Sequence, residues 1–134
     1  MAQLVKLIEL PSFQDTTGNL IVIEGESKFL PFSIARIFNV IAKKGSIRGE
    51  HAHKNCSQFF ICTNGAVEIT CDDASNKEAF VLDCPNYGLF VPPGIWAEQK
   101  YLEENTVITV MCDESYDKDD YINNYEEFLK YVNI

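Results

Sequence analysis

Hydrophobic and polar residues alternate in many short segments of this chain, a pattern typical of β-strands. Eight segments rich in Val, Ile, Phe and Thr are predicted as strands, at residues 5–10, 20–24, 34–42, 58–63, 66–71, 79–82, 88–91 and 107–112. Turn-forming residues separate them. Asn64-Gly65 favours a tight hairpin because both residues tolerate positive φ. Many short strands joined by such turns predict an antiparallel sandwich or a small barrel.

The C-terminal segment follows a different pattern. Apolar residues recur there at steps of three and four, which predicts one amphipathic helix over residues 118–132. Asp117, Asp119 and Asp120 suit the positive N-terminal end of a helix, so we interpret this acidic run as a solvated helix start. Tyr121 is interpreted as a packing residue of the same helix. No repeat or linker divides the chain, and residues 1–134 are predicted to form a single domain.

Composition predicts a compact domain with reduced thiols. A chain of 134 residues that is 46% hydrophobic can bury a core without a disulfide or a structural metal. The five cysteines are an odd number without metal-type spacing, which favours a cytoplasmic location. The apolar runs have the length of strands, so no membrane span is expected. The net charge of −9 argues against a nucleic-acid-binding protein, because such proteins carry a basic surface.

Basic residues cluster in one part of this acidic chain. Five of the eleven Lys and Arg residues lie between Arg36 and Lys54. We interpret Lys43 and Lys44 as part of a solvated turn. Arg36 has apolar neighbours and Arg48 lies close to a pair of histidines, so these two arginines are candidates for a local anion-binding site.

The candidate chemistry centres on His51 and His53, the two histidines of the chain. Residues two apart in a strand project from the same face, so both imidazoles are expected to point into one space. A β-barrel with an HxH strand resembles the cupins, many of which bind a metal through HxH, a following Glu and a later His. Here Gln58 stands at the Glu position and Ala97 at the later His position.

Two imidazoles and a neutral amide are a poor ligand set for a first-row metal, so no metal is predicted. Imidazoles without a metal can gain and lose protons near neutral pH, as a general acid/base must. The alternative is that both histidines line the barrel and are hydrogen-bonded to neighbouring residues.

An ordered set of motifs along nearly the whole chain resembles the sugar 3,4-ketoisomerases of the WxcM-like group. The set comprises Arg48-Gly49-x-His51-Ala52-His53-Lys54, Gln58, Gly65, Asp72-Asp73, Tyr87-Gly88-Leu89, Pro93, Trp96 and Ser115-Tyr116-Asp117-x-x-Asp120-Tyr121-Ile122-x-x-Tyr125-x-x-Phe128. The resemblance implies an all-β, cupin-type antiparallel barrel (jelly roll) with one C-terminal helix. It also implies an isomerase that moves the keto group of dTDP-4-keto-6-deoxyglucose from C4 to C3 through an enediol, for deoxyamino-sugar biosynthesis, without a metal or another cofactor.

The same resemblance implies roles for individual residues. His51 would be the principal acid/base, and His53 a second proton carrier or a substrate clamp. Arg36 and Arg48 would stabilise the enediolate or the pyrophosphate. The remaining candidates are Gln58, which would hydrogen-bond the sugar or orient a histidine, and Trp96, which would line the sugar pocket or belong to the core. The family further implies a homodimer that exchanges strands between subunits.

Four positions depart from the residues that are typical of this family, namely Thr17, Phe38, Asn39 and Ala97. Thr17 and Ala97 are expected to lie by the sugar, and Phe38 and Asn39 lack the hydroxyl of the tyrosines often found at their positions. The sequence therefore favours neither the gluco nor the galacto product at C4. Two other functions stay open from the sequence. One is a metal-dependent cupin enzyme, and the other is a non-catalytic barrel that binds a nucleotide sugar.

Overall fold

The structure, a computed structural model, describes residues 4–133, and antiparallel strands are the predominant secondary structure of this part of the chain. The strands are β1 (Lys6–Glu9), β2 (Ser12–Gln14), β3 (Asn19–Ile21), β4 (Arg36–Ala42), β5 (Ile47–His53), β6 (Gln58–Asn64), β7 (Val67–Asp72), β8 (Lys77–Leu82), β9 (Tyr87–Val91), β10 (Trp96–Tyr101), β11 (Thr106–Cys112) and β12 (Tyr121–Ile122). One α-helix, α1, spans Tyr125–Val132. No helix in residues 4–133 is long and apolar enough to cross a membrane.

Ten of these strands form two five-stranded sheets. The strand order is β1-β9-β6-β11-β4 in the first sheet and β12-β5-β10-β7-β8 in the second, while β2 and β3 form a separate hairpin. Within the described residues, the strand pairing does not join the two sheets into a closed barrel. The predicted cupin-type antiparallel fold with one C-terminal helix is confirmed.

Three clusters of buried side chains hold these layers together. The main core includes Phe60, Ile69, Leu89 and Val110, which come from both sheets. A second cluster, with Phe59 and Ile61, packs against the N-terminal segment. Because β6 contributes to both clusters, its first five residues are all buried, which accounts for their nearly continuous apolar sequence. The third cluster packs α1 onto the second sheet through Ala52, Trp96, Ile122 and Phe128.

The C-terminal helix begins later than the sequence pattern indicates, so the prediction of a helix over residues 118–132 is wrong at its N-terminal end. Lys118–Asp120 forms a 3₁₀ turn, and Tyr121–Ile122 forms β12. Tyr121 and Ile122 pair with His53 and Ala52 of β5. This pairing satisfies backbone hydrogen-bonding groups at the edge of the second sheet. It also carries the chain from the acidic run directly to the histidine strand.

Candidate active site

A pocket of about 160 Å³ opens between the two sheets and contains several of the residues that the sequence singles out. Its apolar lining consists of Phe38, Val40, Phe60, Ile108 and Val110. Gly49 and the polar side chains Arg48, His51, Gln58, Gln99 and Tyr121 complete the lining. Arg48, His51 and Gln58 therefore meet in one pocket.

A β-bulge in β5 places Arg48 and His51 on the same wall of this pocket. Ala97 of β10 pairs with His51 and Glu98 pairs with Gly49, so Glu50 is an extra residue in β5. A bulge of this kind changes the alternation of side chains along a strand. The φ angle of Gly49 is +83°, and a Cβ there would lie 2.7 Å from the Gln99 amide nitrogen. Position 49 therefore requires glycine.

The surroundings of His51 define which of its nitrogens can accept a proton. Nδ1 lies 3.0 Å from the carbonyl oxygen of Gly49. Because a carbonyl only accepts, Nδ1 carries the hydrogen and Nε2 keeps its lone pair. Burial, together with the nearby His53, lowers the pKa of His51 to about 4. At neutral pH this imidazole is therefore an uncharged base.

His53 is buried beside His51 and is held by a carboxylate. Its Nδ1 lies 2.9 Å from Asp120 Oδ2, and the two imidazole centroids are 5.0 Å apart. Burial lowers the pKa of His53, and the Asp120 carboxylate opposes this effect. Nε2 of His53 is buried and has no hydrogen-bond partner within residues 4–133. Since Nδ1 donates to the carboxylate, Nε2 is the nitrogen that is free to accept a proton.

Asp120 is a buried residue of the site, and the prediction that it belongs to a solvated helix start is wrong. Its side chain is nearly enclosed, and it accepts hydrogen bonds from the backbone N–H groups of Asn55 and Cys56, at 2.6 and 3.3 Å. Burial alone would raise the pKa of this carboxyl, yet the hydrogen bonds from His53 and Asn55 bring the pKa below its ordinary value. Asp120 therefore stays ionised and holds His53.

Tyr121 also belongs to the site, so its assignment to helix packing is wrong. It lines the pocket, and its ring centroid lies 5.0 Å from that of His51 and 4.4 Å from that of His53. A sequence signal for this arrangement exists. Asn124 followed by Glu127 is a typical helix start, and the Asn124 side chain does accept a hydrogen bond from the Glu127 N–H. A helix beginning there leaves Tyr121 free to line the pocket and Asp120 free to hold His53.

The other two candidates from the sequence lie outside the pocket lining. Arg36 lies behind Tyr121, where its guanidinium donates to the Tyr121 hydroxyl at 3.4 Å and contacts Cys112 Sγ at 3.7 Å. Trp96 belongs to the buried cluster beneath α1, with its ring against Phe128, which is the second of the two alternatives that the sequence leaves open. Gln99, which sequence reasoning missed, is a buried polar residue that does line the pocket.

The four atypical positions are not equivalent in the structure. Phe38 lines the pocket, and Ala97 pairs with His51 on the neighbouring strand. Thr17 is exposed in the turn between β2 and β3 and hydrogen-bonds Asp15. Asn39 lies on the exposed face of β4, where it accepts a hydrogen bond from Thr109.

One group of side chains near the pocket has the chemistry of metal ligands. His53, Cys56 and Asp120 each offer an atom, and these atoms lie within 4.8 Å of one another. This group omits His51 and Gln58, which stand at the cupin metal-ligand positions. His53 and Asp120 are hydrogen-bonded to each other, and Asp120 also accepts two backbone N–H groups. A metal would have to displace these bonds, so the donor set fits a hydrogen-bonded cluster better than a metal site. The absence of a metal cofactor stays a prediction.

Comparison with known families identifies the chain. The family described as "FdtA: WxcM-like, C-terminal" matches residues 3–133. The chain belongs to this family. The match spans almost the whole sequence, so it includes both sheets, α1 and every residue of the pocket.

Three proteins similar to this chain are named as 3,4-ketoisomerases or 3,4-oxoisomerases. TDP-4-oxo-6-deoxy-alpha-D-glucose-3,4-oxoisomerase of Aneurinibacillus thermoaerophilus is 38% identical over 128 residues, which cover 95% of this chain and 91% of the relative. A 3,4-ketoisomerase structure from Helicobacter canadensis is 34% identical, with a TM-score of 0.92 and coverage of 97% and 98% of the two chains. QdtA, a sugar 3,4-ketoisomerase from Thermoanaerobacterium thermosaccharolyticum solved in complex with TDP, is 34% identical, with a TM-score of 0.94 and coverage of 99% and 97%. The predicted family and enzyme class are confirmed.

Proposed function

We propose that this protein isomerises TDP-4-keto-6-deoxyglucose by moving its keto group from C4 to C3. The observation that carries this proposal is a neutral imidazole, His51, in the pocket of a chain that matches sugar 3,4-ketoisomerases over nearly its whole length. The hydrogen on C3 is acidic because C3 is adjacent to the ketone. A buried neutral base is the group needed to remove it. The 3-keto product then suits an aminotransferase of deoxyamino-sugar biosynthesis.

Four polar side chains that line the pocket, and His53 beside it, have a part in this proposal. Nε2 of His51 takes the proton from C3 and returns it to C4 of the enediol. Arg48 makes no ion pair with the described residues, so its charge is available for the pyrophosphate or the enediolate. The amides of Gln58 and Gln99 hydrogen-bond sugar hydroxyls. His53, held by Asp120, serves as a second proton carrier.

The test is to incubate the purified protein with TDP-4-keto-6-deoxyglucose in deuterium oxide and to follow the sugar by NMR. We expect a 3-keto product, with deuterium at C4 of the product or at C3 of recovered substrate. Thermal stabilisation by TDP without any isomerisation would instead indicate a non-catalytic binding barrel. Activity that is lost with a chelator and restored by a divalent metal would indicate a metal-dependent cupin.

The acid limb of the pH profile is a further expected result. The base must be neutral, and burial lowers the pKa of His51 to about 4 from its ordinary value of 6.5. The profile of kcat/KM reports groups of the free enzyme. We therefore expect kcat/KM to change little between pH 7 and pH 5.5 and to fall by half near pH 4. Initial rates in overlapping buffers measure this, and a limb centred near pH 6.5 would contradict it.

Acid unfolding must be separated from this titration. The unfolded chain binds a proton at His51 near pH 6.5, whereas the folded protein resists it until about pH 4. The contribution of His51 to the free energy of unfolding is therefore fully present above pH 6.5, and it is lost as the pH falls from 6.5 to about 4. Circular dichroism at each pH, with activity measured again after return to pH 7, distinguishes loss of the base from loss of the fold.

The proposal extends to a cytoplasmic homodimer. Strand β4 lies at one edge of the first sheet, and its residues Ile37 and Ile41 are 57% and 71% exposed. Phe13 and Leu20 of the β2–β3 hairpin are exposed as well. Apolar side chains at an unpaired edge favour association with a second chain. Light scattering after gel filtration should give twice the mass of the chain, and a monomer at micromolar concentration would contradict this part.

A further inference from the structure

The proposed reaction moves protons on oxygen as well as the proton that passes from C3 to C4. When the ketone passes from C4 to C3, O4 must gain a proton and O3 must lose one. His51 accounts for the proton that leaves C3 and the proton that reaches C4. A second group in the pocket must therefore exchange a proton with the two oxygens.

Tyr121 is the lining residue with suitable chemistry for the oxygens. Among the described residues that line the pocket, it carries the one hydroxyl group. The guanidinium of Arg48 stays protonated, and the amides of Gln58 and Gln99 donate and accept hydrogen bonds without giving up a proton. His53 is not part of the lining, so apart from His51, Tyr121 is the lining residue that can both give and take a proton.

The contacts of the Tyr121 hydroxyl leave its hydrogen available for a ligand. Arg36 donates to this oxygen at 3.4 Å, and a guanidinium can only donate. The phenolic hydrogen is therefore not used in that bond. When the hydrogen leaves, the positive charge of Arg36 stabilises the charge that develops on the oxygen. This role accounts for a partly buried guanidinium next to the Tyr121 hydroxyl.

Packing fixes both partners of this hydrogen bond. The Arg36 guanidinium lies over the rings of Phe38 and Tyr116, at 5.1 and 5.4 Å from their centroids. The ring of Tyr121 is held against the rings of His51 and His53. Because this ring is fixed beside the base and Tyr121 lines the same pocket, we infer that its hydroxyl acts on atoms adjacent to those the base acts on.

We propose that Tyr121 is a catalytic residue that carries the oxygen-bound proton between O3 and O4; this inference rests on the proposed function. In the first step the C3–H bond breaks, its proton goes to His51 Nε2, and O4 takes the phenolic proton as the C3–C4 double bond forms. In the second step the O3–H proton returns to the phenolate oxygen, the C3 carbonyl forms, and C4 takes the proton from His51. Both side chains are restored and no electrons enter or leave.

The test is Tyr121→Phe, which keeps the ring that packs against the two histidines and removes the hydroxyl. We expect kcat to fall about 100-fold, the scale of one positioned acid/base group, with KM and the Kd for TDP changed less than threefold. Tyr131→Phe is the matched control. Tyr131 is an exposed residue of α1 that does not line the pocket, so the activity of this variant should equal that of the wild type.

Several outcomes would overturn the role of Tyr121. One is a Tyr121→Phe enzyme within threefold of the wild-type kcat, which would mean that the ring alone matters. Another is a rise in KM at unchanged kcat, which would assign the hydroxyl to binding. A wild-type protein that binds TDP and forms no 3-keto product contradicts the proposed function itself, so the two failures are distinguishable.

A double-mutant cycle gives an independent measurement of the same role. If Arg36 acts through the Tyr121 oxygen, Arg36→Gln lowers kcat in the wild-type background and has little further effect in the Tyr121→Phe background. Losses that multiply across the two variants would overturn the coupling between Arg36 and Tyr121.

Discussion

His51→Asn is expected to lower kcat for isomerisation by about 10³- to 10⁴-fold, because it removes the proposed general base while preserving most of the side-chain volume. Asparagine keeps an amide that can still donate to the carbonyl of Gly49, the partner of His51 Nδ1. It has no group that accepts a proton from carbon. Product formation followed by NMR measures the loss, and the Kd for TDP should stay close to the wild-type value.

Hydrogen exchange at C3 makes the His51 result specific. With the wild-type enzyme in deuterium oxide, exchange accompanies turnover, whereas His51→Asn should show neither exchange nor product. Circular dichroism and the melting temperature verify the fold. A folded His51→Asn protein with full activity would refute the assignment of His51 as the base. His53 would then be the candidate base.

Asp120→Asn is expected to lower kcat about 100-fold, since Asp120 positions His53 through a buried hydrogen bond of 2.9 Å. The asparagine amide can present its NH₂ to His53 Nδ1. Nδ1 would then become the acceptor, and Nε2 would carry the hydrogen. In that tautomer Nε2 can no longer accept a proton, and the buried imidazole loses the negative charge that stabilises its protonated form. Steady-state kinetics should show the loss in kcat with KM nearly unchanged.

The control for Asp120→Asn is Asp119→Asn, the same substitution at the adjacent exposed residue, which should behave as the wild type. A double-mutant cycle with His53→Asn provides a measurement that a purely structural role of Asp120 would not affect. If Asp120 acts through His53, the double variant loses no more activity than His53→Asn alone. Independent, multiplying losses would contradict a positioning role, as would an Asp120→Asn enzyme with unchanged kcat.

Local sequence pattern predicts most of this fold because most strands are stabilised by the burial of their own alternating residues. Strands β4, β6 and β11 lie within two residues of their predicted bounds. Strand β10 was missed because its sequence, Trp96–Tyr101, includes Glu98, Gln99 and Lys100, which are weak strand formers. The amide of Gln99 faces inward because the pocket there is polar. A strand that lines a binding site can therefore lose the apolar alternation on which such prediction depends.

The candidate site was predictable only in part, for a related reason. His51, Arg48 and Gln58 carry recognisable chemistry close together in sequence. Asp120 and Tyr121 join them through the pairing of β12 with β5, a contact between residues far apart in the chain. Spacing alone made Tyr121 and Tyr125 look like successive positions on one helix. Tertiary pairing at a sheet edge overrides that local preference.

The pairing of β12 with β5 also bears on when the pocket is completed during synthesis. The ribosome makes the two imidazoles well before it makes their carboxylate and phenol partners. A nascent or prematurely terminated chain that ends before Asp120 holds both bases without the groups that orient them. On the proposed mechanism, activity should therefore emerge only after Asp120 and Tyr121 have been added to the growing polypeptide.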